Sequence, residues 1–194
     1  MAEYHECELA NRIAAAWAAF MKFKEVLCNR RVKLRDRLRM FNAVITSSVL
    51  YGCSSWTLVG DECRKLLCTQ RRMLRWMIRP RRMVEEPWVD YIRRATWHCE
   101  SLAREHGVHS WVQTYRLRKW KIAGKTANAL DRRWSFRLLG WRPWFRCTPH
   151  RRVGRPCTRW GDDIVALAGS DWKEIARDTH LWALTAPGYA DKIS

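Results

Sequence analysis

Acidic residues are scarce in this chain and missing altogether from positions 63 to 84. Across 194 residues, 37 lysines and arginines stand against 19 acids, a formal net charge of +18. An excess of that size points to a polyanionic partner. A surface charged only for solubility would mix the signs along the chain. Here residues 116–159 carry fourteen Lys or Arg and one acid, Asp131, whereas residues 160–194 carry three basic and six acidic residues.

Long apolar runs are also lacking. No stretch approaches the ~18 residues that cross a bilayer. The one around Ala14–Phe20 is short, runs into charge and has no cleavage-like site, so nothing reads as a secretory signal. The expectation is an intracellular protein, nuclear or cytoplasmic, with no membrane partner. None of the eight cysteines forms a Cys-x-x-Cys, and intracellular thiols are expected to be reduced and often buried. The nearest approach to a metal cluster is Cys147-x-x-His150 followed by Cys157. Zinc takes four ligands, usually in two tight pairs. The second pair is missing, so no metal and no cofactor are expected.

Catalytic signatures are missing as well. Polymerases hold two metal ions on carboxylates, and the only adjacent Asp pair here is Asp162-Asp163, at the start of a predicted helix, where acids favour the positive end of the dipole. They read as helix initiation. There is no Gly-rich phosphate loop and no nucleophile motif among Ser, His and Cys. No catalytic residue is assigned.

With no convincing alternating strand and no internal repeat, helical periodicity dominates. Leu9, Ile13, Trp17, Phe20 and Leu27 recur at helical spacing, as do Leu34, Leu38, Phe41 and Ile45. Asn29-Arg30-Arg31 makes a polar break between them. Gly52 and Ser54-Ser55 interrupt the next stretch, and Gly60-Asp61 precedes a third helix that Pro80 ends. Pro87 opens a short helix. Residues 99–123 read as one or two longer helices with a break at Gly107. Pro143, Pro149 and Pro156 with Gly140 and Gly154 predict a loop-rich linker. The tail recovers as two helices. The first carries Trp160, Ile164 and Leu167 on one face. The second starts at Asp171 and Glu174, which have capping-box spacing, and carries Trp172, Ile175, Thr179 and Trp182. Trp160, Ile164, Trp172 and Trp182 are expected to form one buried cluster. The fold class is all-α: a helical bundle over 1–95, a basic helical connector and linker over 96–156, and a small helical tail over 157–194.

On the third helix Arg64, Lys65, Arg71, Arg72, Arg75 and Arg79 fall within a third of the circle, opposite Leu66, Leu67, Met73, Leu74, Met77 and Ile78. Such a helix can bury one side and offer cations to phosphates, which position a nucleic acid without reading it. A merely solvated basic face is the competing reading. Arg116, Arg118, Lys119, Arg151, Arg152, Arg155 and Arg159 are further candidates for phosphate contact. Among thirteen tryptophans, Trp141 and Trp144 flank Pro143 in a basic stretch. They are the candidates for stacking on bases, against ordinary aromatic packing. Gly154-Arg155-Pro156 fits either a minor-groove hook or a turn before the helix.

Several segments occur in a telling order. They are Arg12-Ile13-Ala14-Ala15-Ala16-Trp17-Ala18-Ala19-Phe20, then Leu50-Tyr51-Gly52-Cys53-Ser54-Ser55-Trp56-Thr57-Leu58, then Gln70-Arg71-Arg72-Met73-Leu74-Arg75. Leu117 to Lys125 follows, and last come Gly154-Arg155-Pro156, Arg159-Trp160, Asp162-Asp163-Ile164, Trp172, Ala176, Asp178 and Trp182. Nearly the whole chain resembles the C-terminal region, thumb and tail, of LINE-type (non-LTR) retrotransposon polyproteins that carry an endonuclease and a reverse transcriptase. Lys125 stands where that family usually has His. The resemblance implies a thumb-like bundle and a non-catalytic role, gripping RNA and/or DNA beside a polymerase palm that this sequence does not contain. Alternatives are a domesticated DNA- or RNA-binding module and a helical protein–protein adaptor.

Overall fold

The computed structural model describes residues 2–129, 134–140 and 158–191. The protein is all-helical, and no strand occurs among the described residues. In order come α1 (Ala2–Lys22), α2 (Lys24–Leu27), α3 (Leu34–Met40), a π-helical segment Phe41–Thr46, α4 (Ser47–Val49) and a 3₁₀ turn Cys53–Ser55. Then follow α5 (Gly60–Ile78), α6 (Trp88–Glu105), α7 (Trp111–Ala127), α8 (Trp134–Gly140), α9 (Asp162–Ala168), α10 (Trp172–Ile175) and α11 (Thr179–Ala190).

The chain divides into two compact units. One holds residues 1–53 and 58–115, the other residues 54–57 and 116–194. These limits differ from the sequence-based limits at 95 and 156. The physical reason lies in tertiary contact rather than in composition. The tail needs a helical partner to bury its tryptophans, and α7 from Arg116 onward supplies it.

In the first unit, α1 buries Leu9, Ala16 and Phe20, and α5 buries Leu66, Met73, Leu74 and Met77. Trp17, Phe20 and Trp76 meet where α1 packs on α5, with ring centroids 5.7–5.9 Å apart. The π-helical segment turns Phe41, Ile45 and Thr46 inward. Phe41 stacks on Trp111, whose indole N–H donates to the Thr46 hydroxyl at 2.9 Å. Gln70 ties the start of α7 to α5, accepting from the Trp111 backbone N–H at 2.8 Å and donating to the His109 carbonyl at 2.9 Å.

The predicted breaks are visible as local chemistry. Arg79 ends α5 in the left-handed region at φ 53°, where its N–H reaches the Arg75 carbonyl, and Pro80 follows with no amide proton to continue the helix. Gly107 ends α6 at φ 75°. Its N–H bonds the Arg104 carbonyl and that of Val108 bonds Ala103, a Schellman arrangement that favours glycine. Pro87 caps α6, which is a long helix rather than the short one expected. Glu62 reaches back to the Val59 N–H at 2.8 Å and secures the start of α5.

In the second unit Trp120, Ala123, Ile164, Trp172, Ala176, Trp182 and Tyr189 form one buried cluster, with Trp160 partly buried against it. The Trp160 indole also donates to the Ser54 carbonyl at 2.7 Å, which is why residues 54–57 belong here. The tail has three helices among the described residues, not two. Asp178 accepts from the His180 and Leu181 N–H groups at 3.0 Å and starts a new helix, so Trp172 and Trp182 lie on different helices. Asp171, expected as the cap, makes no such bond, and the helix after it is a single turn.

Candidate nucleic-acid interface

The cationic arc of α5 is split by its neighbours. The helix packs against both α1 and α6, and α6 side chains reach two members of the arc. Arg71 and Arg75 lie at one edge and are half-buried. Arg71 Nε donates to Glu100 Oε1 at 2.7 Å, and Arg75 Nη1 to the Thr96 hydroxyl at 2.8 Å, both on α6. These two arginines hold helices together before they can meet phosphate. Arg64, Lys65, Arg72 and Arg79 are exposed. Arg64 shares a solvent-exposed ion pair with Asp61 at 3.0 Å, the kind worth ~1 kcal/mol or less and readily exchanged. Arg72 lies over the Trp17 ring at 5.4 Å.

Sequence reading missed a second cationic group. The Asn29–Lys33 connection reaches the segment after α5, where Arg30 Nη2 donates to the Arg79 carbonyl at 3.1 Å. Arg30, Arg31, Lys33, Arg79, Arg81 and Arg82 are all exposed there. Two helices end at this place, and the unpaired carbonyls of helix ends attract cations. Buried Arg37 shows this most directly. Its Nη1 donates to the Leu27 carbonyl at 3.3 Å and to Met77 at 3.0 Å, and burial lowers its pKa from the ordinary arginine value. The segment from Arg79 to Pro87 is held by Glu86, which takes both Arg94 Nε at 2.7 Å and Arg94 Nη2 at 2.8 Å. Those hydrogen bonds pull the Glu86 carboxyl down to about 2, so the clamp stays ionised through neutral pH. The available signal was the run Asn29-Arg30-Arg31, read only as a polar break; its approach to Arg79 spans 49 positions and is tertiary information.

The candidates of the second unit separate clearly. Arg118 and Arg159 are exposed and Arg116 is half-buried, with Nη1 3.5 Å from the Ala190 carbonyl. Lys119 is a correction. It is 1% exposed, its ammonium donates to Asp163 Oδ2 at 2.8 Å and it lies over the Trp160 ring. Tyr189 donates to the same carboxylate oxygen at 2.5 Å. A charge removed from water is retained only with such partners, and a lysine so placed is not a phosphate contact. Replacing Lys119 by Met is expected to lower stability by about 1–3 kcal/mol and to leave the salt dependence of nucleic-acid binding unchanged. Urea melts and salt titrations of the variant check both.

Asp162 and Asp163 do begin a helix. Asp162 Oδ2 accepts the Arg159 N–H at 2.7 Å, and Asp163 Oδ1 the Ile164 N–H at 3.0 Å. Arg151, Arg152, Arg155, Trp141 and Trp144, the Gly154-Arg155-Pro156 turn, and Cys147, His150 and Cys157 lie outside the described residues. Among the described residues no three His, Cys, Asp or Glu side chains group as a metal site, and no helix is long and apolar enough to cross a membrane. Cys53, Cys63 and Cys99 are buried and in no disulfide, and burial pushes the Cys99 thiol up to about 11. No family model matches the chain, nor does any of the curated proteins or solved structures with which it was compared.

Proposed function

We propose that this chain is the non-catalytic, nucleic-acid-binding C-terminal region of a non-LTR retrotransposon reverse transcriptase. It grips template RNA or target DNA through its basic helices, beside a palm supplied by other sequence. The observation that carries this reading is the run of exposed cations from Arg64 and Lys65 through Arg72 to Arg79, continuing into Arg30, Arg31, Lys33, Arg81 and Arg82. No acid interrupts the chain between 63 and 84. A surface of this kind neutralises several phosphates in a row and releases their counterions. The motif order from Arg12 to Trp182 supports the family assignment.

Fluorescence anisotropy of purified protein with labelled RNA, single-stranded DNA and duplex DNA tests the binding. Saturable binding to at least one of them, competed by unlabelled nucleic acid more strongly than by an acidic peptide, is expected. Stronger competition by the peptide favours the protein adaptor instead. Primer extension with magnesium or manganese is expected to give no product. Template-dependent extension lost on replacing Asp162 and Asp163 would overturn the non-catalytic assignment.

A further inference from the structure

In the first unit one large indole stands in water with nothing on it. Trp97 on α6 is 70% exposed. Among the described residues it has no ring, cation or hydrogen-bond partner, whereas Trp88 on the same helix packs against Tyr91 and under Arg82. Trp97 lines a groove of about 470 Å³ beside α5 and α6, together with Val89, Ile92, Arg71 and Arg93. Helical spacing places Arg93 one turn before the indole and exposed Arg104 two turns after it, on the same face. The acids on this face are Asp90, 3.6 Å from Arg93 in a solvent-exposed pair, and Glu100, held by Arg71 at 2.7 Å. Glu105 lies to the side. Among the residues that line the groove, Arg71 and Arg93 stand against the single acid Glu100.

An apolar protein partner covering Trp97 would have to strip water from Arg104 and from the exposed Arg93–Asp90 pair, with nothing of its own to replace that water. An unpaired nucleotide has no such conflict. Its base offers a π-face to the indole while its phosphates meet the guanidinium groups. A duplex hides its base faces and cannot use the indole in this way. We infer that the groove beside α5 and α6 takes an unpaired stretch of RNA or DNA, with one base stacked on Trp97 and flanking phosphates on Arg93 and Arg104. This rests on the nucleic-acid reading above and narrows it to a single-strand site.

The test uses the full chain with oligo(U), oligo(dT) and a duplex of equal length, comparing wild type with Trp97→Ala and Trp97→Phe. Trp97→Ala is expected to weaken single-strand binding roughly tenfold, with duplex binding changed less than about twofold and an unchanged salt slope, because no phosphate contact is lost. Trp97→Phe keeps a ring and should retain most of the affinity. Circular dichroism should be unchanged, since the side chain is exposed. Wild-type single-strand affinity in Trp97→Ala overturns the site, and so does an equal loss for single strand and duplex. Wild-type protein that binds duplex only overturns the site and leaves the general reading standing. Protein that binds no nucleic acid overturns both.

Discussion

Replacing Trp182 by alanine is expected to melt the second unit, with a loss of about 3–5 kcal/mol. The Trp120 and Trp182 rings stack with centroids 3.9 Å apart and planes 5° from parallel. Each indole N–H donates to the other residue's backbone carbonyl, at 2.9 and 3.0 Å. Truncation therefore removes buried aromatic area and the indole donor to the Trp120 carbonyl, and it leaves the Trp120 indole bonded to the backbone at 182 but with no ring stacked on it. Trp172, 4% exposed and 5.8 Å from the Trp182 ring, should behave similarly. A smaller change gives a sharper check. A Cβ at Gly124 would meet the Trp182 ring, and this contact is with a stacked ring that cannot swing away. Gly124→Ala, normally favourable within a helix, is expected to destabilise instead. Denaturant unfolding followed by tryptophan fluorescence measures each variant. Gly124→Ala at or above wild-type stability would show that the stacked pair does not exist.

The second large effect concerns binding. Changing Arg64, Lys65, Arg72 and Arg79 to Gln is expected to weaken binding to RNA, single-stranded DNA and duplex alike, by about tenfold or more at moderate salt. It should also flatten the plot of log affinity against log salt by up to about 3 units, since each lost phosphate contact removes roughly 0.7–0.9. Arg71 and Arg75 are spared because they fasten α5 to α6 through Glu100 and Thr96. Including them would mix folding with binding. Thermal melts of the fourfold variant should match wild type within a few degrees. A variant that binds as wild type at every salt concentration would mark this face as merely solvated.

Much of the fold was legible in the sequence because helices announce themselves locally. The stripe Leu66, Met73, Leu74 and Met77 is buried, as its spacing predicted, and Pro80, Pro87 and Gly107 fall at helix ends. The buried cluster of Ile164, Trp172 and Trp182, with Trp160 at its edge, was legible from spacing too. The break at Asp178 was not. Trp172, Ile175, Thr179 and Trp182 fit one continuous helix, and only the cap to His180 and Leu181 separates them. The interface was legible as a quantity of charge but not as an arrangement. Which arginine stays in water depends on partners far away in sequence: Glu100 for Arg71, and Asp163 for Lys119. A lysine buried by such pairing looks, in sequence, like any other cation of a basic run. Trp97 escaped for the converse reason, since nothing local separates an indole left in solvent from one that packs.

The measurement that bears most directly on the whole account is the salt dependence of nucleic-acid affinity for the wild-type chain. Binding constants for RNA, single-stranded DNA and duplex DNA would be measured from about 50 to 300 mM monovalent salt, a range over which several phosphate contacts change affinity by orders of magnitude. The account predicts measurable binding at the low end and a log–log slope steeper than about −3 for at least one of the three, falling toward zero in the Arg64, Lys65, Arg72 and Arg79 variant. No binding at 50 mM, or binding with a flat slope that the fourfold variant leaves unchanged, would contradict it.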